Sequence, residues 1–485
     1  LYVNPLSNAV QQAMQRDHSS ADGARMGVNP NYDASVANPV ALMRYLTDQR
    51  LTVSESELMT FDFIAQGTLP SISFAAGDAA WAVGYERREY SLVTTTPARA
   101  GPTSTNELTN IHNGDLYPCL IPEQNETASG RAACASNPVG LFMFLAPTFE
   151  SDQEQDVDAL FAELALPVSD ELDVQVAIRY EDYGTVDSVD PKVVVRYSPT
   201  DTVTLRFTGQ TTFRAPHPDE TSKTRVTALQ YVNQVGAFKA VDQTGNVNLE
   251  PEEATTYNIG LITDFGTDNW TATLDYYNFE FDNPILNENH QQLVDAYHGG
   301  GAAKAAIQSQ IFGGSDLVND GSFGVGDLAR IQSNFVNGPK TETDGLDLFI
   351  KYDTDVGNGT LSTGLEANAI LGFSVESYSV GGSVVADAYE CAGFFNINNP
   401  CRPMPEQKGK GFVNYVDAKH NFYGAVNYIS SYYNRRDSGK VADHRTFDAT
   451  YTYSMNDSID LSFSVYNIAD KLPPFINWEM NYDAY

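Results

Sequence analysis

Long apolar runs are missing from this 485-residue chain. Leu141-Phe-Met-Phe-Leu-Ala146 is among the longest uninterrupted ones, far short of the roughly 18 residues a membrane helix needs, so a helical membrane protein is excluded. Positive charge is scarce as well. With 29 Lys and Arg against 63 Asp and Glu the formal charge is −34, and the few basic residues are scattered, which excludes a nucleic-acid partner because phosphate neutralisation needs clustered cations. Catalytic signatures are absent too: no HExxH, no GxSxG, no GxxxxGK[ST], and no GxGxxG after a strand. No enzyme activity, cofactor or resident metal is expected.

Cysteine is limited to four residues in two close pairs, Cys119 with Cys134 and Cys391 with Cys401, each in a polar stretch rich in Asn, Gly and Pro. Two local disulfides are the natural reading, and they imply an oxidising compartment such as a periplasm or cell exterior. A zinc site is disfavoured, since neither CxxC spacing nor a nearby His accompanies either pair. The seven His are dispersed, and His217 reads as a loop residue making local hydrogen bonds rather than as a ligand contact. Asp316 to Asp327 resembles a calcium loop but lacks a suitable residue at Val318 and the closing Glu, so calcium is disfavoured.

What is present is aromatic and periodic. Twenty-seven Tyr and 25 Phe set the acidity apart from that of a disordered tail. Residues 1–56 show no alternation; Asn8–Met14 and Pro39–Leu46 read as short amphipathic helices within a loop. From Glu57 the period becomes two. Leu172, Val174, Val176, Ile178 and Tyr180 face one way, and Asp173, Gln175, Ala177, Arg179 and Glu181 the other; later segments repeat the pattern to Ile459–Val465. About fourteen strands follow, one of them read as a single segment over 326–355.

The connections differ in kind. Short turns such as Ser198–Asp201, Phe265–Asn269, Val356–Gly359 and Ser454–Asp457 alternate with long polar loops, as short periplasmic turns and long extracellular loops do in membrane barrels. Strands with one apolar face in lipid must close into a barrel, because no backbone N–H or C=O can go unpaired there. The fold expected is therefore all-β: an antiparallel transmembrane β-barrel over 57–485, preceded by the loop region 1–56. Arg179, Glu181, Arg206, Glu366 and Asp448 should line its interior, ion-paired or solvated. Loops 97–150, 217–251, 285–325 and 378–407 should form the ligand vestibule, with no contact residue derivable.

Four further segments gather around one stretch. Phe213-Arg-Ala-Pro216, then Asn248-Leu-Glu-Pro-Glu-Glu253 with Tyr257-Asn-Ile-Gly260, resembles the RAP…NPxLxPE…ExG signature of TonB-dependent outer-membrane receptors. Trp81–Arg88 resembles that family's GxEYR strand, Thr343–Leu348 its xxGxEL strand, and Ser464–Lys471 its xxNLxDK segment. The family-motif residues are thus Arg214, Ala215, Pro216, Asn248, Leu249, Pro251, Glu252, Gly260, Asn467 and Asp470. Departures occur at Glu250, Ile259 and Leu346-Asp347.

The resemblance implies a barrel of about 22 strands with a plugged lumen, of which this chain would supply the eighth strand onward. The plug, the energy-coupling box, about seven strands and the last strand would then lie outside it. It also implies a Gram-negative outer membrane with its lipid as surroundings, the TonB complex as a partner through the plug, and active import of a scarce solute. Ferric siderophore, vitamin and oligosaccharide all suit. The other readings are a passive porin and a secreted all-β carbohydrate-binding or hydrolytic protein.

Overall fold

The computed structural model describes residues 16–17, 27–28, 53–95, 151–221, 225–265, 269–313, 318–395, 401–434 and 439–475. The helices expected at Asn8–Met14 and Pro39–Leu46, the loop 97–150 and the pair Cys119 and Cys134 lie outside the described residues.

One 15-stranded sheet dominates, fourteen of its strands following one another in chain order and a short strand, Tyr389–Glu390, pairing beside them. The path runs β1 (Val53–Phe74), β2 (Gly77–Thr95), β3 (Ser151–Ser169), β4 (Leu172–Asp182), β5 (Asp187–Thr200), β6 (Val203–Arg214), β7 (Glu252–Thr263), β8 (Trp270–Asp282), β9 (Thr341–Val356), β10 (Gly359–Val375), β11 (Gln407–Val416), β12 (His420–Ile429), β13 (His444–Asn456) and β14 (Ile459–Val465). Registered neighbours such as β4 with β5 and β9 with β10 are antiparallel, so successive turns fall on opposite sides. The short turns fall on one side of this wall. The opposite side carries the long connections, with the tight 183–186 turn as an exception.

Alternation fixes which face meets which solvent. On β4, Val176, Ile178 and Tyr180 are 36, 49 and 38 % exposed, while Glu181 on the other face is 8 % exposed. In water such exposed apolar rows would be a liability; facing acyl chains they cost nothing. On β2 the outward row runs Trp81, Val83, Tyr85 and then Arg87 and Glu89. Arg87 is ion-paired to Glu89 at 2.9 Å, Asp156 at 3.0 Å and Asp158 at 2.9 Å. An ionic cluster of this kind marks the level at which the wall leaves hydrocarbon, since charge at the midplane is costly.

The segment 326–355 is not one strand. Leu328–Asn337 belongs to a separate sheet, and β9 starts only at Thr341. Gly338-Pro339 makes the break. The Gly338 N–H turns to Pro284 O at 2.7 Å and Pro339 has no N–H for a ladder, while apolar alternation continues across both pieces and disguises the junction.

The long connections hold most of the compact apolar core. Ala237–Thr244 pairs in parallel with Leu328–Asn337, which also pairs with Ile285–Asn287 and Ile311–Gly313. Two helices accompany this sheet, α1 (His290–Gly299) and α2 (Gly301–Ile307). Asn289 caps α1, its side chain accepting from the N–H groups of Gln291 and Gln292. Gly300 at φ 78° and Gly301 at φ 64° make the bend between the helices, a conformation that glycine adopts without strain. Val241, Leu293, Val294, Ile307, Leu328 and Ile331 are buried together, and Tyr378, Val380 and Val385 join them from the β10–β11 connection. Three loops therefore share one core, here called the cap.

Candidate functional site

The cap and the strand ends beneath it are built around carboxylates. Arg214, at the end of β6, donates from Nη1 to Glu220 Oε1 at 3.1 Å and from Nη2 to Glu252 Oε2 at 3.2 Å. Glu252 Oε2 also accepts the N–H of Ile285, and Glu220 Oε2 accepts the N–H of His217 at 2.8 Å. One guanidinium thus joins the start of the 217–251 loop, the start of β7 and the start of the next loop. Ala215 and Leu249 are buried beside it, and Pro216 O accepts from Gln155 on β3 at 3.3 Å.

The other motif residues lie near or below this clasp. Asn248 donates its N–H to the Asn246 side chain at 2.9 Å, a local turn that leads to Pro251 and Glu252. Gly260 sits where Arg206 and Asp275 cross. Those two are bonded Nε to Oδ1 at 3.0 Å and Nη2 to Oδ2 at 2.6 Å, and a Cβ on Gly260 would stand 2.5 Å from Arg206 Nε. Asn467 and Asp470 have φ of 51° and 47°. Asn467 exchanges bonds with Lys471, Oδ1 accepting its N–H at 2.9 Å and Nδ2 donating to its O at 3.0 Å, while Asn467 N–H goes to Asp448 Oδ1. Short polar side chains tolerate that left-handed region. The motif therefore divides in the structure among an outer clasp, Gly260 in the middle of β7 and a turn beyond β14.

Of the interior residues expected from alternation, Arg179 bonds Glu86 at 3.2 Å and donates from Nε to Glu181 at 2.9 Å, with Arg88 and Tyr183 also on Glu181. Asp448 accepts from Asn427 at 2.7 Å. Glu366 stands opposite Lys410 in the ladder. His217 accepts the Asp219 N–H at 3.4 Å and its ring lies 5.4 Å from that of Tyr90, a local role. Asp316 is outside the described residues. The Ser322 hydroxyl, and then the Ser322 N–H that bonds Asp320 Oδ1 at 2.9 Å, lower the Asp320 pKa.

Sequence reasoning missed the centre of the cap. Glu288 is 5 % exposed, and its carboxylate accepts from Gln310, from Asn334 N at 3.0 Å, from Asn334 Nδ2 at 3.2 Å and from the Tyr378 hydroxyl at 2.8 Å. Burial and the adjacent carboxylate push the Tyr378 phenol up. Ser333 Oγ adds a bond to the backbone O of Glu288 at 2.6 Å. Arg330 and Asp242 form a second buried contact at 2.9 Å across the parallel strands. Asn337 was missed as well; its side chain donates to Glu250 O at 2.7 Å and Asn283 O at 3.1 Å and accepts from Glu250 N at 2.8 Å. A buried Glu reads in sequence like any surface Glu, and only the Asn289 cap signal before Leu293, Val294 and Tyr297 pointed to helix here.

The fold has counterparts in known proteins. The family described as TonB dependent receptor-like, beta-barrel matches residues 9–468. This chain belongs to that family. Its members are outer-membrane receptors of Gram-negative bacteria and not enzymes, and the protein is an outer-membrane barrel protein. Among solved structures the chain is similar to the ferric enterobactin receptor of Pseudomonas aeruginosa, with a TM-score of 0.54 and 14 % identity over 86 % of this chain and 49 % of that one. It is likewise similar to the siderophore receptor PirA of Acinetobacter baumannii, with a TM-score of 0.52 and 15 % identity over 86 % of this chain and 51 % of that one. At such identity the likeness is one of fold. The chain spans about half the length of these receptors. The comparison with curated proteins gave no match. The outer-membrane setting agrees with the Cys391–Cys401 disulfide, which closes a loop on the long-connection side of the wall.

Proposed function

We propose that this chain is the barrel portion of a TonB-dependent transporter that binds a scarce solute on its extracellular side and imports it actively. The observation that carries the reading is the family match over residues 9–468, together with a wall on one side of which three long connections fold into a shared cap. A ferric siderophore, a vitamin or an oligosaccharide fits this class, and the solved siderophore receptors of similar fold favour it over a passive porin. Energy would come from the TonB complex acting on a plug within the complete receptor. Motif residues Arg214 and Glu252 would hold the cap at the mouth, and loops 217–251, 285–325 and 378–407 would present the ligand-contacting surface. The loop 97–150 would contribute to it, with Cys119 and Cys134 bridged.

Uptake is the test. Cells carrying the complete gene should accumulate labelled substrate, and deletion of the inner-membrane TonB protein should abolish accumulation while leaving binding to whole cells. Accumulation that persists without TonB would make the protein a passive channel.

A further inference from the structure

We propose that the receptor takes an uncharged, hydroxyl-rich ligand, an oligosaccharide, and not an anionic ferric chelate; this rests on the receptor reading and narrows its substrate. Two independent observations carry it. The first is where the cap's positive charge goes. Among its described side chains the cations are Lys239, Lys304, Arg330, Lys340 and Arg402, and Arg402 is not without a partner. Arg330 is bound to Asp242, and Lys340 to Glu280. Lys304 donates to Gly321 O at 2.9 Å and lies 4.3 Å above the Tyr297 ring. Lys239 alone has no such partner among the described residues.

Carboxylates are in the opposite position. Glu250, Glu288, Asp295, Asp320, Asp327 and Glu376 have no ion-pair partner among the described residues. A ferric tris-catecholate carries several negative charges, and charge-assisted recognition of it needs several uncommitted cations at short range. Here the local field repels it, and screening over a Debye length of about 8 Å does not remove repulsion at contact.

The second observation is an aromatic platform. Tyr231 and Phe238 flank the turn of a β-hairpin on the cap, 47 and 66 % exposed, with ring centroids 5.5 Å apart in an edge-to-face arrangement. Val232 and Val235 hold the same hairpin to the cap core. Between the two rings in sequence stands Gln234, which bonds Asp295 on α1 and accepts from Gln291 Nε2 at 2.6 Å. Exposed ring faces suit the C–H faces of a pyranose, and an amide beside a carboxylate offers both donors and acceptors for its hydroxyls. None of these groups requires charge on the ligand.

The experiment uses the full-length receptor in detergent and measures binding by calorimetry with two sets of probes. One set is neutral glucan, mannan and xylan oligosaccharides; the other is ferric enterobactin. The expected result is saturable binding of at least one oligosaccharide, nearly unchanged by added salt, and none of ferric enterobactin. Tyr231→Ala and Phe238→Ala should each weaken the oligosaccharide roughly tenfold, the loss expected for a ring contact buried on binding, while Phe238→Tyr retains it. Circular dichroism and heat-modifiable gel mobility should be unchanged in all three. Saturable binding of ferric enterobactin, failure of every oligosaccharide, or oligosaccharide binding indifferent to both alanine variants would overturn the proposal. The receptor reading fails separately, through uptake that does not depend on TonB.

Discussion

Removing the Glu288 carboxylate is the most informative perturbation of the cap. Glu288→Ala takes away the acceptor shared by Gln310, Asn334 N, Asn334 Nδ2 and the Tyr378 hydroxyl, while the side chains around it are buried or half-buried. A buried donor left without a partner costs about 1–3 kcal/mol. Tyr378 can turn its hydroxyl toward another acceptor, and water can enter the space left by the side chain and serve one amide. Two donors unmet gives a loss of about 2–6 kcal/mol from the cap, and none from the wall, whose ladders do not involve this residue. Hydrogen exchange on the detergent-solubilised receptor reads the two regions separately. Amides of α1 and of Leu328–Asn337 should exchange on the order of 30-fold faster or more, with β4 to β8 unaltered. Tyr378→Phe, which removes one bond of the four, should cost only about 1 kcal/mol, and the two changes together should be less than additive. Unchanged protection of α1 in Glu288→Ala would refute the account of the cap as a body organised around this carboxylate.

Other outcomes follow from the same contacts. Arg214→Ala leaves Glu220 and Glu252 without their cation and should expose the 217–251 loop to limited proteolysis at its base, at a cost of about 1–3 kcal/mol, with Arg214→Lys restoring part of the resistance. Cys391→Ser should lower the resistance of the 378–407 connection to proteases by an amount equivalent to about 2–4 kcal/mol, and wild-type protein treated with reductant should behave the same way. Gly260→Val places a side chain where Arg206 and Asp275 cross, so refolding yield into detergent should fall, as followed by heat-modifiable mobility. Burial depresses the His290 pKa below its ordinary value, so the unfolded cap binds a proton more readily than the folded one. Cap stability should therefore be fully present above the ordinary His range and decline as pH falls through it, and His290→Gln should flatten that part of the profile.

The wall was legible because lipid imposes a rule on every strand. Val176, Ile178 and Tyr180 must be apolar together and Arg179 and Glu181 polar together, so a period of two runs through β4, β6, β13 and β14 in the sequence itself. Interior partners were legible only as a face. That Arg206 would find Asp275 depends on the register between β6, β7 and β8, which alternation does not set. The cap was hidden by its shortness. Helices of ten and seven residues and two strands of three give too few periods to stand out, and the apolar residues of the shared core, Val241, Leu293, Ile331 and Val385, come from three loops far apart in sequence. The misread segment 326–355 shows the same limit, since two strands of different sheets can share one alternation when a Gly-Pro pair is all that separates them.

Gly338 N–H bonded to Pro284 O, with Ile285 registered on Asn337, has a consequence for the wall. Everything from Ile285 to Asn337 leaves the wall and returns to it through a single gap two chains wide, bridged before the insertion has done anything else. A different insertion spliced between the same two points would inherit closed ends and disturb neither β8 nor β9. The doorway thus isolates the strands of the wall from the insertion, while the pairing of 328–337 with 237–244 and the contact with Val385 tie that insertion to the two neighbouring loops.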